Sequence, residues 1–167
     1  MRSIIEKSGM ITLRLTEEND LDFVISSEQE PDNAQFVGHW TKQQHLDALH
    51  NTDVLHIIIE DSITCKSYGY VIMVGLENVN RSIEFKRIVI CEKGKGIGRE
   101  AIKLIKKITF EQLMAHRLWL DVKGKNYRAQ NIYKSEGFKE EGVLRDCIFC
   151  DDNYESLIVM SMLEKEY

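Results

Sequence analysis

The stretch Ser82 to Ala101, SIEFKRIVICEKGKGIGREA, constrains this chain more than any other part of it. Its apolar run of β-branched and aromatic residues (Ile83, Phe85, Ile88, Val89, Ile90) predicts a strand buried on at least one face. The run leads straight into Gly94, Gly96 and Gly98, and a helix is predicted from Ile97 onward. Glycines clear side chains from the turn, and the first N–H groups of the helix have no intrahelical partner, so the junction is suited to an anion. Charge points the same way. Between Lys86 and Lys107, eight cationic residues (Lys86, Arg87, Lys93, Lys95, Arg99, Lys103, Lys106, Lys107) stand against Glu92 and Glu100, in a chain of net charge −5. A phosphate at such a helix end gains about 0.3 to 1 kcal/mol from the dipole, and more where several N–H groups converge. The bland alternative is a solvated basic helix face behind a tight turn. The spacing is not a P-loop, because no Gly-Lys-Ser/Thr follows, and Arg99 occupies the third glycine position of a dinucleotide fingerprint.

The 167 residues fit a single domain, 1–167, large enough to bury roughly two-thirds of its unfolded surface without staples. Hydrophobic content of 43% with 29% charged residues is that of a soluble globular protein, and no apolar run approaches the ~20 residues of a membrane span. The N-terminus MRSIIEKSGM shows no signal-peptide pattern, so the expected location is cytoplasmic. Of four cysteines only Cys147-Ile148-Phe149-Cys150 has suggestive spacing. One C-x-x-C supplies two ligands, and none of the five histidines (His39, His45, His50, His56, His116) forms a complementing pair, so free thiols and no metal are expected.

Along the chain, Ile11 to Leu15 reads as a first strand, and Thr16 to Asp20 caps a short helix carrying Leu21, Phe23, Val24 and Ile25. Ser26 to Trp40 reads as irregular, and Thr41 as the cap of a helix to about His50 with Leu46 and Leu49 facing in. Val54 to Glu60 and Ser67 to Gly75 read as a hairpin, antiparallel because the loops are too short for crossovers. Ile97, Ala101, Leu104, Ile105, Ile108 and Leu113 recur at helical spacing, predicting one helix to about Met114. Arg117 to Val122 follows as a strand able to lie parallel to the central one, then a helix over Asn126 to Ser135 closed near Gly137. Two strands, Phe138 to Asp146 and Tyr154 to Leu163, finish the chain around a turn at Asp151 to Asn153. The expected class is α+β: a mixed, mostly antiparallel sheet with helices on both faces.

Lys93-Gly94-Lys95-Gly96-Ile97-Gly98 resembles the acetyl-CoA loop of the GNAT family of N-acetyltransferases, Gln/Arg-x-x-Gly-x-Gly/Ala, with Lys93 in place of the usual Gln or Arg. Leu118 to Val122, then Asn126, Ala129, Tyr133, Gly137 and Phe138, resemble that family's second motif, a strand followed by Asn-x-x-Ala, a Tyr and Gly-Phe. The two motifs span Ile83 to Phe138 in the family's order, and Glu140 to Asp146 (EEGVLRD) resembles the RimJ/RimL-type group that acetylates N-termini of ribosomal proteins and related small amines. Residues 1–80 carry no comparable signature.

The resemblance implies a GNAT-like fold and transfer of the acetyl group of acetyl-CoA to a primary amine (a protein N-terminus, a polyamine or another small amine) by direct attack in a ternary complex. It implies pantetheine contacts with the strand backbone at Ile88 and Ile90, with Val89 also among the cofactor-binding residues. Pyrophosphate contacts would come from the loop amides of Lys95, Gly96, Ile97, Gly98 and Arg99, and further cofactor contacts from Lys93, Gly94 and Asn126. Tyr133 would protonate the leaving thiolate, a core tyrosine being the other reading of its place on an apolar helix face.

An amine of pKa about 10.4 is only roughly 0.04% neutral at pH 7, so its proton needs a base. Glu84, alternating along the strand with Lys86 and Ile88, is the candidate, an ordinary cross-strand ion pair the alternative. A non-catalytic acyl-CoA-binding module of the same fold stays open, as does a homodimer. A nucleic-acid partner is disfavoured by the acidic balance and by the lack of exposed aromatics among the basic residues.

Overall fold

The structure, a computed structural model, describes residues 3–167. Met1 and Arg2, where the expected single domain and its leader-free N-terminus begin, lie outside them. Strands β1 (Ile4–Lys7), β2 (Ile11–Leu15), β3 (Val54–Asp61), β4 (Ser67–Val74), β5 (Ser82–Ile90), β6 (Arg117–Lys123), β7 (Lys139–Cys150) and β8 (Asn153–Leu163) form one sheet in the order β1-β2-β3-β4-β5-β6-β8-β7. Every pairing is antiparallel except that of β5 with β6. The long connection from β5 to β6 carries α4 (Ile97–Lys107), and α5 (Tyr127–Ser135) carries the chain over β8 to the far edge. β8 then returns between them, through a turn whose Asp151 and Asp152 have φ of 49° and 61°, a left-handed pair that matches the twist of the two strands.

The helices cover opposite faces. α4 places Ile97, Ala101, Ile102, Leu104 and Ile105 in the main core with Ile11, Leu13, Ile57, Val71, Phe85 and Leu118. On the other face α1 (Leu21–Gln29) and α3 (Lys42–Leu49) cover a smaller cluster of Val24, Ile58, Tyr70, Ile72 and Val89. Thr41 caps α3 by accepting from the Gln44 N–H, and Gln44 returns a bond to the Thr41 N–H, a reciprocal capping box.

Five expectations change. β1 is a strand that the sequence does not announce, because its four residues are exposed or half-buried and alternate weakly. The segment read as irregular from Ser26 continues α1 to Gln29 and adds a short helix, α2 (Pro31–Ala34), that starts on proline, whose missing N–H costs nothing at a first helical position. Leu46 and Leu49 are only half-buried, and the inward positions of α3 are His45 and Ala48. The long helix ends at Lys107 and passes into a wider turn, Ile108–Gln112, closed by a bond from the Leu113 N–H to Ile108 O. That wider turn lets three consecutive residues, Ile108, Thr109 and Phe110, be buried together, which a 3.6-residue repeat does not allow. The four cysteines are unpaired thiols, with Cys147 and Cys150 inside β7 and not between strands.

Candidate active site

β5 and β6 begin as a parallel pair, Ser82 beside Arg117, Ile83 beside Leu118 and Glu84 beside Trp119, and there the pairing stops. β5 nevertheless runs on to Ile90 and β6 to Lys123, so beyond Glu84 the two strands diverge around an opening. A bulge in β5 accompanies the divergence. Phe85 pairs with Met73 and Arg87 with Ile72, leaving Lys86 as the extra residue. The bulge reverses the strand's alternation. Ile83 and Phe85 before it, and Ile88 and Ile90 after it, all face the main core, whereas Arg87 and Val89 face the other cluster. The expectation that Glu84, Lys86 and Ile88 share one face therefore fails: Glu84, opposite Val74, lies on the face of Arg87 and Val89.

Backbone direction follows the same logic. The Cys91 N–H bonds to Tyr68 O on the β4 side, so Val89, two residues before it, also turns its backbone groups to β4, and Ile88 and Ile90 turn theirs toward the opening. Val89 thus offers the opening neither side chain nor backbone, contrary to its place among the expected contacts.

The opening is a cleft of about 1170 Å³. At one end lie Gly94 and Gly96, with φ of 81° and 77°, values that L side chains rarely adopt. Gly96 caps α4 without a side chain, and the first bond of the helix runs from the Glu100 N–H to Gly96 O. The N–H groups of Ile97, Gly98 and Arg99 are left without intrahelical acceptors. A phosphate-bearing ligand fits that end on the chemistry of its donors. The loop's long side chains are occupied elsewhere: Lys93 donates to Asp32 O at 2.9 Å, Lys95 pairs with Glu92, and Arg99 pairs with Glu136 at 2.7 Å. Asn126 caps α5 by accepting from the Ala129 N–H at 3.2 Å and lines the cleft as well.

Tyr133 is buried, with its ring edge-on to Phe85 at 6.1 Å and Phe138 at 5.7 Å, and its hydroxyl has no hydrogen-bond partner among the described residues. Burial, reinforced by the charge of Asp121, pushes the phenol pKa up, so at neutral pH the group is a proton donor. Glu84 lines the cleft with its carboxylate 3.6 Å from Lys86 Nζ.

Asp121 is a cleft carboxylate that sequence reading misses. It stands on β6 two residues beyond the last paired position, lines the cleft, and has no hydrogen-bond or ion-pair partner among the described residues. Asp121 is still exposed to solvent, and partial desolvation by the cleft walls raises its pKa against the pull of Lys86. In the sequence it is simply the polar member of an alternating strand, and only the divergence of β5 from β6 brings it into the cleft. Among the described residues no cluster of three or more His, Cys, Asp or Glu is arranged to hold a metal ion.

Residues 10–139 match the acetyltransferase (GNAT) domain family. The chain belongs to that family. Spermidine N(1)-acetyltransferase of Vibrio cholerae is 27% identical over 171 residues, 96% of each chain, and the Escherichia coli K12 enzyme of the same name is 29% identical over 166 residues, 94% of this chain and 88% of that protein. The crystal structure of the Vibrio cholerae spermidine N-acetyltransferase in complex with CoA and spermine superimposes with a TM-score of 0.86 at 25% identity, covering 96% of this chain and 99% of that one. This GNAT domain is an acetyl-CoA-dependent N-acetyltransferase. No helix among the described residues is long and apolar enough to cross a membrane.

Proposed function

We propose that residues 1–167 act as one domain that acetylates a primary amine of a polyamine, with the amine attacking directly in a ternary complex. The observation that carries this reading is the divergence of β5 and β6 after Glu84 and Trp119, which leaves Tyr133, Asp121 and Glu84 around one cleft. Acetyl-CoA supplies the acyl group as a thioester. The free backbone groups of Ile88 and Ile90 pair with the amide-bearing arm of the cofactor, and the N–H groups of Ile97 to Arg99 hold its phosphates. Glu84 draws in the cationic amine, and Asp121, unpaired and with a raised pKa, takes the proton that must leave before nitrogen can attack. As the C–S bond breaks, the Tyr133 hydroxyl gives its proton to the sulfur.

The polyamine assignment rests on the named relatives, both similar over nearly the full chain. A cytoplasmic location is part of the same reading. Self-association is part of the reading, since the Vibrio cholerae relative is described as dodecameric.

Thiol release from acetyl-CoA, followed across polyamines, diamines and short peptides with free N-termini, tests the proposal. Polyamines should turn over fastest. Activity confined to peptides would remove the polyamine class, and none with any amine would leave an acyl-CoA-binding module. Asp121→Asn should lower kcat about 100-fold at pH 7, and Glu84→Gln should chiefly raise the KM of the amine. The opposite pattern would return the base to Glu84.

A further inference from the structure

Behind the cleft lies a buried polar cluster that the reaction as described does not use. Glu28, in the last turn of α1, is almost wholly buried, yet one carboxylate oxygen, Oε1, meets the Tyr70 hydroxyl at 2.5 Å, Arg87 Nη1 at 2.5 Å and His45 Nε2 at 3.1 Å. The other oxygen accepts the Trp40 N–H at 3.2 Å. A carboxylate only accepts, so His45 Nε2 donates to it. The chain continues from His45 Nδ1 to His56 Nε2 at 3.1 Å and from His56 Nδ1 to Thr16 Oγ1 at 2.9 Å. Burial alone would raise the Glu28 pKa, but bonds from His45 and Tyr70 and the charge of Arg87 hold it down to about 2.

The groups tied to Glu28 border the site. Arg87 is the first residue after the Lys86 bulge and lines the cleft, with its guanidinium 4.8 Å from the Trp40 ring centroid. Residues 32–39, which connect α1 to the Trp40 end of the cluster, form one wall of the cleft. Two further bonds hold that wall from its other side: Lys93 of the glycine loop donates to Asp32 O, and Lys123 of β6 donates to Gln35 O at 3.0 Å. At the root of the wall, Asn33 Nδ2 donates to Ser27 O at 3.0 Å. One carboxylate therefore fixes the bulge that opens β5 from β6 together with the segment that faces the opening.

We infer that Glu28 is a positioning residue for the amine acceptor, setting through Arg87 and Trp40 the distance between the 32–39 wall and the β5 bulge. This inference rests on the acetyltransferase reading of the cleft and takes the 32–39 wall, whose Asp32 end Lys93 ties to the glycine loop, as the side that meets the amine. A buried ion pair of this kind is replaceable by apolar side chains with little loss of stability, whereas removing one partner leaves the other charge uncompensated.

Glu28→Gln keeps the shape and removes the charge. It should raise the amine KM at least 10-fold while the acetyl-CoA dissociation constant, measured by calorimetry, stays within twofold. The double variant Glu28→Gln/Arg87→Met removes the stranded cation, so its melting temperature should return toward that of the parent while the amine KM stays high. A purely structural role predicts the reverse, with KM recovering along with stability. If Glu28→Gln does not fold, Tyr70→Phe removes one donor and should raise the amine KM about threefold. Amide exchange gives a readout that needs no turnover. In the variant, residues 32–39 should exchange at least 10-fold faster, with the 94–98 loop still protected by acetyl-CoA. If the parent protein acetylates no amine, the substrate reading fails and exchange alone decides this one. An unchanged amine KM, or unchanged exchange at 32–39, overturns it.

Discussion

The two faces of the sheet are built on different principles. Under α4 and α5 the core is apolar, and side chains such as Ile105, Leu118 and Met160 are excluded from solvent without a charged partner among them. Under α1 and α3 the apolar cluster is small, and charge is buried beside it. Arg14, 1% exposed, donates to Glu60 at 2.9 Å and to both oxygens of Asp20, while Glu28 gathers Arg87, Tyr70 and His45. Burying apolar surface contributes about 25 cal/mol per Å² whatever its orientation, so the first face supplies stability. Buried ion pairs roughly cancel their desolvation cost but hold groups at fixed angles, so the second face supplies position. The cleft opens where the two meet, with Tyr133 rooted in the first and Arg87 in the second.

The sharpest way to break this division is Tyr133→Phe, which removes one O–H and leaves the packing against Phe85 and Phe138. If the hydroxyl protonates the leaving sulfur, kcat should fall about 100-fold to 10,000-fold while the acetyl-CoA dissociation constant hardly moves. A loss under threefold, with chemistry rate-limiting, would assign Tyr133 wholly to the apolar face.

The next effect belongs to the polar face and to pH. Burial, with the nearby charges of His45 and Arg87, lowers the His56 pKa from 6.5 to about 3. The folded protein then binds fewer protons than the unfolded chain between those values. The stability contributed by neutral His56 is fully present above pH 6.5 and is lost as pH falls toward 3, on the order of 5 kcal/mol in all. Glu28, lowered from 4.5 to about 2, extends the loss below pH 4.5. Urea unfolding across this range should show the decline, and His56→Gln should flatten it between pH 6.5 and 4.5. An equal slope in the variant would place the acid sensitivity elsewhere.

The smallest effect is expected in the apolar core. Ile105→Val deletes one methylene from a fully buried site and should cost about 0.5 to 1.5 kcal/mol, with kcat and the amine KM unchanged well below the melting temperature. A changed amine KM at unaltered stability would show that the apolar face also positions the acceptor.

What the sequence determined by itself was local. Alternation placed most strands, helical spacing placed α4 and α5, and Gly94, Gly96 and Asn126 marked their turns and caps, because each signal lies within a few residues along the chain. The loop-to-helix junction was legible for the same reason, whereas the place of Tyr133 in the cleft came from the family resemblance. The tertiary structure alone decided the rest. The Lys86 bulge depends on the register of β4 against β5, and it reversed the face expected for Glu84 and turned Val89 from the cleft. Asp121 became a cleft carboxylate only because β6 leaves β5 two residues earlier. Glu28, His45, His56, Tyr70 and Arg87 come from five separate elements, and nothing in their spacing announces that one carboxylate joins them. Pairing across a sheet and burial of charge depend on what lies opposite in space, and a chain read in order carries no direct record of that.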